Sequence, residues 1–218
     1  MNLVAASFAW PFRGEWRSRW AVGVVAVLLL PLAFIPLLGY AVAATRAAAI
    51  DPKAGPPPWA LSGRLITDGF WTAFGVLLVT APFAIALNPL SGLIAQAHLW
   101  HVGDRALSNL YANIASGFIL ALPWGLLMLL LMPHATMRFA TSGNPVDLFD
   151  FGAAVRGVGH DFATWNLAAA AIVTAWAIGL AGAGLLCVGV LPGVFYAILV
   201  SAHAAAALHS KAANPPTR

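Results

Sequence analysis

WAVGVVAVLLLPLAFIPLLGYAVAAT, residues 20–45, holds no charged side chain and is long enough to cross a bilayer. Pro31 and Pro36 interrupt it, with Arg13, Arg17 and Arg19 before it and Arg46 after it. A proline inside a helix removes one backbone hydrogen bond, and its ring collides with the carbonyl four residues back. The stretch is therefore either a single kinked span or a re-entrant hairpin that enters and leaves on one face. The choice sets the side of every later segment.

The whole chain shares this character. Of its 218 residues 61% are hydrophobic and 8% charged, against about 25% charged in a soluble domain. So few charges cannot cover a hydrated surface. The repeated apolar runs of about 20 residues read as an all-helical, multi-pass integral membrane protein. The net charge is +4. The basic residues flank the apolar runs instead of forming a stripe, which argues against nucleic acid and for retention beside anionic lipid on the cytoplasmic face. The single cysteine, Cys187, excludes an internal disulfide, a CxxC pair and a thiolate metal cage. Ala41-Val42-Ala43 resembles a signal-cleavage site, but the run from Trp20 exceeds a signal core, so the segment is expected to be retained.

Outward from residues 20–45, segment 1–19 reads as interfacial. Its indoles and snorkelling arginines, Trp10, Arg13, Trp16, Arg17 and Arg19, are its expected anchors. Residues 46–64 form a loop stiffened by Pro56-Pro57-Pro58. A second span covers 65–87, with Asp68 near its entrance and Asn88-Pro89 as its stop. Residues 89–109 are a connector, and a third span, 110–132, contains Pro123. Asn144-Pro145 starts a helix, with Asp147 and Asp150 in its early turns. Leu148, Phe151, Val155, Val158 and Phe162 follow on one face, so residues 145–161 read as an amphipathic surface helix. The last two spans are 163–183 and 185–208, joined near Gly182-Ala183-Gly184. Gly189 and Gly193 form a GxxxG pair and are the candidate helix-packing residues. Residues 209–218 are an expected disordered tail, and 20–208 an expected single membrane domain.

Charge decides between the two first elements. With five alternating spans, Arg13, Arg17, Arg19 and Arg105 lie on one side and the other 7 Lys and Arg residues opposite. If residues 20–45 turn back between Pro31 and Pro36, 10 of these residues share the N-terminal face, with Arg105 alone opposite. The positive-inside rule prefers the second arrangement, with both termini cytoplasmic at the inner membrane. Each half then has about 12 residues, roughly 18 Å of helix, too short to cross about 30 Å of hydrocarbon. The hairpin must then be shielded by neighbouring helices. A single kinked span is the alternative.

Little chemistry stands out. The spans carry no ionisable residue at mid-bilayer; Asp68 and His203 come nearest, both towards span ends. On a helix the spacing of His98 and His101 would put them on one face, and His134, His160, His203 and His209 fall near expected interfaces, but no HExxH or Cys-His set accompanies them. No GxSxG, P-loop or complete GxGxxG is present. The expectation is no catalytic residue, no metal and no cofactor.

The order of features resembles one family. The pieces are WPFRGEWRSRW at 10–20, the proline-interrupted run ending Gly39-Tyr40, Pro58-Trp59 before Asp68-Gly69, PHATMRFATSGNPVDLFDFGAAVRGV at 133–158, and Cys187-x-Gly189. Together they are similar to the multi-pass membrane family called domain of unknown function 4013, over about residues 8 to 208. The resemblance implies a fold and a membrane location, and no catalytic residues. The reading is a non-enzymatic membrane module that packs against a membrane partner, a second copy or lipid. The alternatives are a permease-like carrier of an uncharged or lipid-like substrate, favoured by a cavity lined by Thr80, Asn113 and Ser116, and a haem- or pigment-binding subunit.

Overall fold

The computed structural model describes residues 3–97, 105–184 and 189–212. His98, His101, Asp104 and Cys187 lie outside the described residues, as does the tail from residue 213. All regular structure among the described residues is helical. It comprises α1 (Leu3–Ala9), a 3-10 turn (Trp10–Phe12), α2 (Trp16–Leu28), α3 (Leu30–Ile50), α4 (Gly63–Gln96) and α5 (Arg105–Ser142). A second 3-10 turn (Pro145–Leu148), α6 (Phe151–His160), α7 (Phe162–Ala181), a third 3-10 turn (Gly182–Gly184) and α8 (Val190–Ala212) complete it. Among the described residues five helices are long and apolar enough to cross a membrane: α3, α4, α5, α7 and α8.

The first apolar stretch breaks at Leu29, before both prolines and not between them. Pro31 has no N–H to give the Val27 carbonyl, and its ring would strike that carbonyl. The Leu29 N–H turns to Val25 and Val27 instead, and Pro31 opens α3. Pro36 is absorbed inside α3, which runs on through Ile50, so Arg46 is helical and not part of a loop. The arms fold back on one another. Arg13 Nη1 donates to the Pro52 carbonyl at 3.0 Å, Arg19 donates to the Pro56 carbonyl, and Trp59 Nε1 donates to the Arg19 carbonyl at 3.1 Å. The start of α2 and the segment after α3 therefore lie together.

Four further expectations are corrected. Helix α4 continues through Asn88 and Pro89 to Gln96, and α5 extends well beyond 110–132 at both ends. A proline removes one backbone bond, and a helix in apolar surroundings keeps the rest because no water competes for them. Residues 145–161 form a 3-10 turn and a separate ten-residue helix. The side chain of Asn144 caps the first through Val146 N–H, and Asp150 caps the second through Ala153 N–H. Leu148, Ala154 and Val158 are buried there, whereas Val155 and Phe162 are exposed, so the apolar stripe is split. Helix α8 continues to Ala212, so the first residues of the expected tail are helical.

The chain divides into two compact units, Met1–Ala73 with Leu130–Arg218, and Phe74–Leu129. In the first, α8 is the central element and packs against α1, α2, α3 and α7. Trp10, Tyr40, Phe195 and Leu199 form its largest cluster with Leu37 and Leu65. Glycines set two close crossings. A Cβ on Gly39 would lie 1.9 Å from the Leu65 carbonyl oxygen, and one on Gly69 would lie 2.0 Å from that of Ile35, so α3 and α4 touch backbone to backbone. A Cβ on Gly193 would lie 2.5 Å from the Gly179 carbonyl, and one on Gly182 would lie 2.6 Å from that of Gly189. Gly193 thus seats α8 against Gly179 of α7, and Gly189 meets Gly182 just beyond the ends of the same two helices, within one chain.

The second unit contains the later part of α4 and the earlier part of α5. Trp124 Nε1 donates to Thr80 Oγ1 at 3.1 Å, and Ser91 Oγ donates to Asn113 Oδ1 at 2.6 Å, joining the two helices. Leu77, Ile85, Leu93, Phe118, Leu122 and Leu126 are exposed.

Candidate functional site

Charge in the first unit gathers where α3 ends, α4 begins and α5 ends. The Gly39–Gly69 crossing brings Arg46 of α3 beside Asp68 of α4. Arg46 Nη2 donates to Asp68 Oδ2 at 2.8 Å, and Arg46 Nε donates to the Ala140 carbonyl at 2.7 Å. That carbonyl belongs to the last turn of α5, where helix carbonyls lack an intrahelical donor. One guanidinium therefore neutralises a carboxylate and closes a helix end. The Asp68 side chain is 8% exposed and that of Arg46 20%. Arg64, one turn before Asp68, reaches it only at 3.9 Å and is 64% exposed. These groups, with Tyr40, Pro58 and Ser62, line a cavity of about 140 Å³.

A second cluster ties α5 to α6. Arg138 Nη2 donates to Asp147 Oδ1 at 2.7 Å, and Nη1 donates to Asp150 Oδ2 at 3.1 Å. Ser142 Oγ donates to Asp147 Oδ2 at 2.5 Å. Asp150 is held below the usual 3.8, first by the Ala153 N–H and next by the Arg138 guanidinium. His134 is buried against Gly157 of α6, where a Cβ would come within 3.0 Å of the imidazole.

The third group holds the N-terminus. Ser7 Oγ and His203 Nδ1 lie 2.9 Å apart, and the Trp10 ring sits 5.4 Å from the imidazole. Tyr196 Oη donates to the Phe8 carbonyl at 3.2 Å. Tyr40 stacks on Trp59 at 3.9 Å with the rings 2° apart, and Tyr40 Oη donates to the Pro57 carbonyl at 2.8 Å. Prolines offer carbonyls but no N–H, so the loop accepts from Arg13, Arg19 and Tyr40.

The expected anchors therefore separate. Trp10 is fully buried in protein. Arg13 and Arg19 are half-buried and bonded to the proline loop, while Trp16 is half-buried and Arg17 exposed over its ring at 5.5 Å. The Arg46–Asp68 pair was not evident in the sequence, because Arg46 followed an apolar run and read as loop. An Asp one helical turn after Arg64 was the only available signal. The polar oxygens weighed as a solute path are engaged: Thr80 with Trp124, Asn113 with Ser91, and Ser116 with the Ala112 carbonyl at 2.7 Å. Among the described residues no three His, Cys, Asp or Glu side chains gather as metal ligands.

No curated protein and no solved structure matches the chain. One family model does, described as "Protein of unknown function (DUF4013)", over residues 22–188. The match takes in the α2–α3 break, both charged clusters and the Gly39–Gly69 crossing, and leaves out the aromatic-basic entry and α8. The match covers most of the chain and agrees with the apolar helices, and the chain belongs to the DUF4013 family.

Proposed function

We propose that the protein is a non-enzymatic multi-pass module of the cell membrane, with both termini cytoplasmic, that packs against a membrane protein partner. The carrying observation is the second unit. The oxygens of Thr80, Ser91, Asn113 and Ser116 are engaged internally, while Leu77, Ile85, Phe118 and Leu122 face outward. A carrier needs polar groups free to line a path, whereas a packing module needs an apolar outer face. A photo-crosslinking residue placed at Ile85 or Leu122 in native membranes is expected to give a protein adduct of one fixed mass. Lipid adducts alone, with protection by an added solute, would turn the reading to a permease-like carrier.

The folded-back α2–α3 element supports re-entry from the cytoplasmic face. Helix α3, with 21 residues, is long enough to cross, but α2 has 13 residues, roughly 20 Å, which is less than a hydrocarbon core of about 30 Å, so the pair does not make two full crossings. Its open end gathers Arg13, Arg19 and the proline loop, as the positive-inside rule requires of a cytoplasmic face. Cysteines introduced as Ser18→Cys and Ala54→Cys are expected to react with an impermeant reagent from the same side. Labelling from opposite sides would sink the re-entrant reading.

A further inference from the structure

We infer that the cavity between the end of α3, residues 58–62 and the start of α4 holds a singly charged phosphodiester, the headgroup phosphate of a membrane lipid. Asp68 is already neutralised by Arg46 at 2.8 Å, and Arg64 lies 3.9 Å away at the rim, 64% exposed. Three charged groups therefore leave one positive charge uncompensated beside a half-open cavity.

Donors come next. Arg46 uses Nε on Ala140 and Nη2 on Asp68, which leaves Nη1. Ser62 Oγ accepts from the Leu65 N–H at 3.2 Å, which leaves its hydroxyl proton. With the Arg64 guanidinium these are the donors of the lining, and charge-assisted bonds from guanidinium to phosphate are among the strong ones. The cavity, about 140 Å³, has the volume of roughly four to five liquid waters, enough for one phosphate group. Asp68 sets the selectivity. By taking up the charge of Arg46 it leaves the lining with a single net positive charge, which a diester monoanion matches and a phosphate dianion exceeds. The assignment rests on the membrane reading above, which places the start of α4 at headgroup level.

The test uses the full chain, with Arg64→Gln and Arg64→Lys variants. Arg64 is exposed, so neither substitution disturbs the core. Each protein is reconstituted in vesicles of equal phosphatidylglycerol and phosphatidylcholine, extracted in mild detergent, and its retained lipid counted by native mass spectrometry. Wild type is expected to keep one phosphatidylglycerol. Arg64→Gln is expected to lose it about tenfold, the factor supplied by a single charge-assisted hydrogen bond, and Arg64→Lys to recover part. A parallel titration of delipidated protein with inorganic phosphate separates the sources. Phosphate binding that Arg64→Gln abolishes, without lipid retention, would make free phosphate the ligand and overturn the diester. Equal lipid retention by wild type and Arg64→Gln, or none by either, would overturn the site. Alkaline extraction of the same membranes separates the two readings, since a pelleted protein with no bound phosphate refutes the cavity assignment alone.

Discussion

Removing one partner of the Arg46–Asp68 pair should cost far more than removing both. At 2.8 Å and an effective dielectric constant of about 20, two unit charges attract by about 6 kcal/mol. Most of that is offset by the cost of taking both ions out of water. Deleting one ion exposes the other to the desolvation cost without the attraction, about 3–5 kcal/mol for a buried pair. The two halves are not equivalent. In Asp68→Asn, Arg46 keeps the Ala140 carbonyl and its side chain is already 20% exposed, so the loss falls to about 2 kcal/mol. In Arg46→Met, the Asp68 carboxylate, 8% exposed, keeps only Arg64 at 3.9 Å, and the loss stays at about 3–5 kcal/mol. The double variant buries no lone charge, and its cost should fall short of the sum by about 2 kcal/mol or more. Unfolding by increasing SDS in mixed micelles reads all four proteins. Additivity within about 0.5 kcal/mol, or an Asp68→Asn loss larger than that of Arg46→Met, would refute the reasoning.

Gly69→Ala places a Cβ 2.0 Å from the Ile35 carbonyl oxygen; backbone cannot yield as a side chain does, so the loss in SDS unfolding should reach about 3 kcal/mol or more. Tyr40→Phe removes the bond to the Pro57 carbonyl but keeps the stack on Trp59, and should cost about 1 kcal/mol with unchanged tryptophan emission. Asp150 is held below 3.8 in the folded chain, so its contribution is present above that value and lost as pH falls through the lowered one. The gap in unfolding midpoint between wild type and Asp150→Asn should therefore close on acidification below 3.8, and a gap that persists or widens would contradict the Ala153 and Arg138 contacts.

The helices were legible because apolar runs long enough to cross a membrane are written in the composition. Asn144-Pro145 was legible too, since a cap is a local event, and Asn144 does accept from Val146 N–H. Proline misled in both directions. It marks the loss of one hydrogen bond, and neighbours decide whether the helix survives. Pro36, Pro82 and Pro89 lie inside helices, whereas Pro31 sits just after a break. The charged clusters were not legible, because Arg46 meets Asp68 only where Gly39 and Gly69 let two backbones touch. A glycine is silent about its partner until the crossing is known. Trp10 shows the same limit: beside arginines it read as an interfacial anchor, yet α8 sets His203 against its ring and it is fully buried.

The seat of the N-terminus has a consequence for biosynthesis. Ser7 and His203 are separated by 196 residues, and α1, α2 and α3 all pack on α8, which follows them late in the chain. A ribosome adding about 5–20 residues per second takes about 10–40 s to bridge that gap. Through most of that interval the first three helices exist without the surface they close against. Their packing faces stay uncovered until then, and a ribosome that stops short of α8 leaves α1 with nowhere to dock.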